Sequence, residues 1–261
     1  MRTIVVSGAS SGIGQAVAER FAADGDRVVN FDIAPPPAAS GTGADGIPWT
    51  KVDVADWSAV REAVDEVHER YGSLDVVVAN AGISNRRGVL ELTEEEVRRT
   101  IDVNLMGVLA LWRHAAPHMV RHGHGVLLAT ASVNGSRGYP LYADYNATKA
   151  GVASLCRTFA MELSPVVRTA CVTPGAVLTP MQRAEYTDEM LDEVNERIPA
   201  RRHATPREIA AAFHYLASPE AAFVTGQELV VDGGETAGAT TAFFPGHAMS
   251  PPGQPTPSEG K

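Results

Sequence analysis

One junction near the start of the chain limits what it can fold into. The β-branched run Thr3-Ile4-Val5-Val6 breaks at Ser7-Gly8-Ala9-Ser10-Ser11-Gly12-Ile13-Gly14 and continues as a helical stretch from Ile13 to about Ala23. Glycines belong where backbone turns tightly and where it must lie against a pyrophosphate. The helix start beyond them offers unpaired N–H groups and the positive end of a dipole. A Gly/Ser turn alone also reads as a flexible connection. Its placement between a strand and a helix favours a nucleotide cradle.

The rest of the chain repeats that strand-then-helix unit. Apolar runs recur at Val28–Phe31, Leu74–Ala79, Val126–Ala129, Val167–Val172 and Leu229–Val231, without the alternation of a half-exposed sheet. Parallel strands covered on both faces have that character. Val60, Ala63, Val64 and Val67 set an apolar stripe along Asp56–Tyr71. Thr93-Glu94-Glu95-Glu96 and Thr205-Pro206-Arg207-Glu208 are capping boxes that mark helix starts. The expected fold class is α/β: a doubly wound parallel sheet in three layers with right-handed crossovers. The length of 261 residues suits one large domain, placed at residues 1–237. Ala34–Pro48, with Pro35-Pro36-Pro37, reads as a surface loop replacing a crossover helix. The Pro/Gly-rich tail 238–261 reads as extended or disordered, or as a strap across a neighbouring subunit.

Composition removes several functions. Asp and Glu (31) outnumber Lys and Arg (22), for a net charge of −9, and the basic pairs are isolated, so no nucleic-acid partner is expected. No apolar run approaches a membrane span, and the first ends at Ser7-Gly8, too early for a signal peptide. The expectation is a cytoplasmic protein with no membrane partner. Cys156 and Cys171 lack metal-ligand or CxxC spacing and read as core residues in a reducing compartment. His114, His118 and His122 share a helix face, but no Cys or acidic residue completes a ligand set, so no metal is expected. Pro117 in the same helix predicts a kink or mid-helix bend. No HExxH occurs, which argues against metalloprotease chemistry.

Asp32 ends the second strand run, where a carboxylate reaches the ribose 2′-OH of a bound dinucleotide. It accepts hydrogen bonds from a free diol and repels a 2′-phosphate, so NAD is expected in preference to NADP; an N-cap or turn role is the alternative. Tyr145-Asn146-Ala147-Thr148-Lys149 places a phenol and an ammonium one helical turn apart, in a chain with only three lysines. A phenol titrates near ~10 in water, and a neighbouring ammonium lowers that value, giving a proton carrier near neutrality. Tyr-x-x-x-Lys is common by chance, and in isolation the pair reads as an exposed helix pair.

Taken with Ser7–Gly14, Ala79-Asn80-Ala81-Gly82, Asn104, Ser132 and Pro174-Gly175, it makes the chain resemble the short-chain dehydrogenase/reductase family. The resemblance runs in order from Thr3 to about Gly234 and implies a Rossmann fold. It implies that Tyr145 is the general acid/base, that Ser132 holds the reacting oxygen, and that Lys149 lowers the Tyr145 pKa and binds the nicotinamide ribose. Asn104 is implied to anchor a water in the proton path. Gly8, Ser10, Ser11, Gly12, Ile13 and Gly14 are implied to hold the pyrophosphate, and Asp53 with Val54 to flank the adenine. Asn80, Ala81 and Gly82 are assigned to the adenosine, and Pro174, Gly175, Val177 and Thr179 to the nicotinamide. Two departures stand out: Ser7 replaces the usual Thr, and Ala79 the usual first Asn, which puts one strand-stabilising hydrogen bond in doubt.

The function so implied is NAD-dependent interconversion of a secondary alcohol and a ketone on a small molecule. Arg86, Arg137, Tyr142, Met181 and Gln182 are the candidate substrate residues, and paired arginines at a cleft mouth suit a carboxylate. The short loop after Asp32, Met181-Gln182-Arg183 and the ending Val230–Gly234 resemble the dihydroxybenzoate-forming dihydrodiol dehydrogenases. That likeness implies a cyclic hydroxy or dihydrodiol acid in biosynthesis. NAD(P)H-dependent reduction of a sugar, terpenoid or polyketide ketone stays open, as does a non-catalytic dinucleotide-sensing module. In the family, helices matching Asn104–His122 and Tyr142–Leu163 pair between subunits, implying a homo-oligomer, a tetramer or a dimer.

Overall fold

The computed structural model describes residues 1–36 and 46–238. Seven strands, β1 (Thr3–Ser7), β2 (Arg27–Asp32), β3 (Trp49–Lys51), β4 (Val76–Ala79), β5 (Gly125–Thr130), β6 (Val167–Pro174) and β7 (Gln227–Val231), form one parallel sheet in the order β3-β2-β1-β4-β5-β6-β7. The helices are α1 (Gly12–Ala23), α2 (Trp57–Tyr71), α3 (Glu94–Ile101), α4 (Gly107–His122), α5 (Ala143–Leu163), α6 (Pro180–Glu185), α7 (Asp188–Arg197) and α8 (Pro206–Leu216). The winding direction reverses between β1 and β4, which opens a crevice beyond the carboxyl ends of those strands.

Strand pleating divides the core in two. Val5, Phe31, Val77 and Leu127 face α2 and α4, where they meet Val64, Leu111, Trp112 and Met119. Ile4, Val6, Val78 and Leu128 face the other way, against Val17 and Phe21 of α1 and Ile209 and Phe213 of α8. Each such side chain contributes roughly 1.5–3 kcal/mol by leaving water, and burial on both faces explains why these runs do not alternate. The expected three-layer Rossmann arrangement is present.

Both capping boxes form: Thr93 and Thr205 each accept from the N–H three residues on, and Glu96 and Glu208 return the bond. Cys156 and Cys171 are free thiols buried in the core. No helix among the described residues is long and apolar enough to cross a membrane.

Two features add to what the sequence shows. The segment after Asp32 returns as strand β3, in register with β2 from Asn30↔Trp49 to Asp32↔Lys51, which the proline-rich stretch before it conceals. Residues 37–45 of the expected loop and 239–261 of the expected tail lie outside the described residues. Pro117 does not interrupt α4; the irregular turn of this segment comes earlier, as a π-helical turn at Asp102–Met106.

Candidate active site

The crevice holds two adjoining cavities. The first, about 260 Å3, is walled by Gly8, Ser11, Gly12 and Ile13 from the glycine turn, Asp32 from the end of β2, and Asp53 and Val54 beyond β3. Asn80, Ala81 and Gly82, Thr130, Tyr145, Lys149, Thr179 and Met181 complete it. Ser11, at the N-cap of α1, makes no side-chain capping bond, so the first N–H groups of that helix remain available to an anion. Gly14 is fixed by close approach: a Cβ there would stand 2.2 Å from the Gly8 carbonyl oxygen. That packing brings α1 down onto the turn.

Polar side chains brace the cradle from behind. The Ser7 hydroxyl accepts from the N–H groups of Asn80 (3.0 Å) and Ala81 (3.1 Å). Asn80 Nδ2 donates to the Ser7 and Gly8 carbonyls, and its Oδ1 accepts from the Thr130 hydroxyl at 2.9 Å. Ser7 and Asn80 thus stitch β1, β4 and β5 together, and the sheet end is tied despite Ala79. Ser10 is buried; its N–H donates to Asp32 Oδ2 (3.0 Å) and its hydroxyl to the Ala34 carbonyl (2.7 Å), so it supports Asp32 rather than lining the cavity. Asp53 is shared between the Ala55 N–H and the Arg99 guanidinium (2.9 Å), an arginine on the cavity wall that sequence reasoning missed.

The second cavity, about 380 Å3, is walled by Ser132, Tyr145, Tyr139, Tyr142, Gly175, Met181, Gln182, Tyr186, Met190 and Arg86, with Glu185, Glu193, Arg197 and Glu235. Tyr145 and Met181 line both cavities. Ser132 begins the short 3-10 turn Val133–Gly135, and its hydroxyl accepts from the Asn134 N–H. Tyr142 donates to Glu185 Oε2 (2.7 Å), lies 3.1 Å from the Tyr186 hydroxyl, and sets its ring edge-on to Tyr145. Tyr139 donates to Glu235 Oε1, while Glu235 Oε2 is buried without a partner. Burial and these carboxylates push the Tyr139 and Tyr142 phenols well above their ordinary range. Asp232 accepts from Gly234 and Thr236, turning the segment after β7 back over the sheet and delivering Glu235; the sequence signal was the Asp232-Gly233-Gly234 turn.

Arg137, Pro174 and Val177 fall elsewhere, whereas Arg86 and Thr179 stay on the cavity walls. Arg137 lines neither cavity; its guanidinium donates to the Glu235 and Thr236 carbonyls, so the expected Arg86–Arg137 clamp is not assembled. Arg86 instead stacks over the Tyr186 ring at 5.1 Å. Pro174 ends β6, and Val177 is buried in a bridge to Ala204; neither lines a cavity. Thr179 caps α6 by accepting from the Gln182 N–H. Asn104, fully buried in the π-helical turn, accepts from the Ile83 N–H and donates to the Ile83 carbonyl, both at 2.8 Å.

Burial dominates the electrostatics of Tyr145 and Lys149. Burial pushes the Tyr145 phenol up to about 12, and the adjacent Ser132 hydroxyl only partly offsets this. Burial brings the Lys149 ammonium down to about 8, and its Nζ donates to the Thr130 carbonyl at 2.8 Å. Desolvation is the largest influence on both groups. The two side chains do share one helix face, with Nζ 5.4 Å from the Tyr145 ring centre.

His114, His118 and His122 do not converge. His118 binds Asp65 and Arg121, His114 packs edge-on against Trp57, and His122 packs against His124.

A glycine-turn cradle at the switch point of a parallel sheet, joined through a tyrosine and a buried lysine to a second cavity, defines a nicotinamide-dinucleotide-dependent oxidoreductase. A family described as Enoyl-(Acyl carrier protein) reductase matches residues 8–236. The chain is 38% identical over 236 residues to 3-oxoacyl-(acyl-carrier-protein) reductase MabA of Mycobacterium tuberculosis, covering 89% of this chain and 92% of that one. It is 38% identical over 249 residues to cis-4-hydroxycyclohexanecarboxylate dehydrogenase of Sinomonas cyclohexanicum, covering 90% and 97%. Among solved structures, the aldohexose dehydrogenase of Thermoplasma acidophilum superimposes with a TM-score of 0.85 at 31% identity, over 92% of this chain and 95% of that one. The chain belongs to the short-chain dehydrogenase/reductase family, and is an enzyme acting on CH–OH and keto groups.

Proposed function

We propose that the protein is an NAD-dependent enzyme interconverting a secondary alcohol and a ketone on a small cyclic compound, with Tyr145 as proton carrier. The observation that carries this reading is the place of Tyr145, which lines both cavities beside Ser132 and Lys149. When bound, the nicotinamide supplies the hydride acceptor or donor. The chain's own residues hold, align and manage the proton.

Gly8, Ser11, Gly12 and Ile13 present backbone to the pyrophosphate, and the free N–H groups of α1 favour its charge. The Asp32 carboxylate accepts the ribose hydroxyls and repels a 2′-phosphate, which supports NAD. Ser132 and Tyr145 grip the substrate oxygen; in oxidation Tyr145 accepts its proton, and in reduction it donates one. Lys149, held by Thr130, stabilises the phenolate and reaches the ribose. The π-helical turn around Asn104 offsets main-chain hydrogen bonding there, which supports a water anchored beside Lys149.

The second cavity favours a neutral hydroxylated ring over the cyclic acid. Glu185, Glu193 and Glu235 outnumber Arg86 and Arg197 on its wall, and tyrosine hydroxyls supply donors and acceptors. The substrate named for the Sinomonas relative is a cyclic hydroxy acid, which supports the ring and keeps the cyclic acid as the second reading. Residues 1–237 work as one catalytic domain in a cytoplasmic homo-oligomer; the exposed Val120 of α4 and Met161 of α5 support pairing through those helices. The test is reduced-cofactor absorbance with NAD+ and a panel of cyclic alcohols. Tyr145→Phe is expected to abolish turnover while NAD+ still binds; substantial remaining activity refutes the role.

A further inference from the structure

At the opposite end of the sheet from the crevice, three ligating side chains meet. Asp75 directly precedes β4 and His124 directly precedes β5, and these strands pair in register from Val76↔Val126, so the two residues are neighbours on the amino-terminal edge. His122 is the last residue of α4. Gly123 caps that helix in the left-handed conformation (φ 86°), a reversal that costs a side-chain-bearing residue strain. The reversal brings the His122 and His124 rings to 4.7 Å between centres. One donor atom from each of Asp75, His122 and His124 lies within 4.8 Å of the other two. Asp75 is held in place: its Oδ2 accepts from the Thr3 N–H (2.7 Å) and the Ser73 hydroxyl (2.9 Å), which leaves Oδ1 facing His124 Nε2 at 2.8 Å.

We propose that Asp75, His122 and His124 form a binding site for a divalent transition metal of the Zn2+ class, separate from the reaction site. Two imidazoles and one carboxylate are donors that such ions accept, whereas Mg2+ and Ca2+ take oxygen ligands. Water completes the tetrahedron. The ion takes the place of the hydrogen bond between His124 Nε2 and Asp75 Oδ1, which already aims both atoms at one point. Bound there, it ties the end of α4 to the edges of β4 and β5. His118 stays outside the set, engaged by Asp65 and Arg121.

The experiment is calorimetric titration of the chelator-treated, tag-free full chain with ZnCl2, alongside its thermal unfolding. Wild type, His122→Gln, His124→Gln and, as control, His114→Gln are compared. One Zn2+ per chain is expected for wild type and His114→Gln, with affinity weakened at least about tenfold in the other two. Zn2+ is expected to raise the unfolding midpoint of wild type and His114→Gln only, and Mg2+ that of none. Absence of saturable Zn2+ binding by wild type, or equal affinity in all four proteins, overturns the proposal.

Discussion

The Lys149 ammonium lies over the face of the Tyr145 ring, 5.4 Å from its centre, and spends its hydrogen bond on the Thr130 carbonyl rather than on the phenol. The pair meets as cation against ring, with both groups desolvated. Burial shifts each toward its neutral form, the phenol to about 12 and the ammonium to about 8. At neutral pH Tyr145 therefore carries its proton, the form that ketone reduction uses.

Alcohol oxidation needs the same oxygen empty. kcat/KM for oxidation is expected to rise with pH from about 7 to 9 while that for reduction stays level or falls. Profiles measured in both directions check this; an oxidation profile flat over that interval contradicts it.

Lys149 also burdens the fold. Its folded pKa lies below the model-peptide value, so the folded state binds fewer protons than the unfolded one between about 8 and 10.5. The cost is present in full below that window and fades as pH rises through it. Lys149→Met is expected to abolish turnover yet raise stability at pH 7 by on the order of 2 kcal/mol. That advantage should shrink toward pH 10, as denaturant titrations at the two pH values can show.

Asp32 is the cofactor's discriminator in this reading. Asp32→Ala is expected to lower kcat/KM with NAD+ by about tenfold or more and raise that with NADP+. Because Asp32 also accepts from the Ser10 and Ala34 N–H groups, a stability measurement should accompany the kinetics.

Asn104 is buried with both ends of its amide on Ile83. Asn104→Ala leaves an N–H and a carbonyl unpaired, and is expected to cost about 1–3 kcal/mol of stability, read by chemical denaturation. Turnover is expected to fall as well, since Ile83 forms part of the cofactor cavity.

Most of the fold was legible in the sequence because periodicity and capping are local. Thr93 with Glu96, and Thr205 with Glu208, announce their helices within four residues. The site was less legible where distant segments meet. The glycine turn, Asp32, Tyr145 and Lys149 were found from spacing, but Glu235 reaches the second cavity only because Asp232 folds the chain back. Arg137 looked free in sequence, and only the placement of Glu235 and Thr236 shows that their carbonyls occupy it. The direction of the Tyr145 shift was illegible for the same reason, since desolvation depends on the whole surrounding wall. Strand β3 is three residues, two of them exposed, too short to leave a periodic signal.

The segment α6–α7, which shapes the second cavity, has Leu191 as its one buried helical side chain. Beyond it the segment is tied by the Glu185–Tyr142 and Asn195–His203 contacts and not by a packed face, so its other positions can change with little effect on the sheet. An enzyme assembled this way can acquire new substrates through a thinly anchored flap while its redox centre and dinucleotide grip stay as they are.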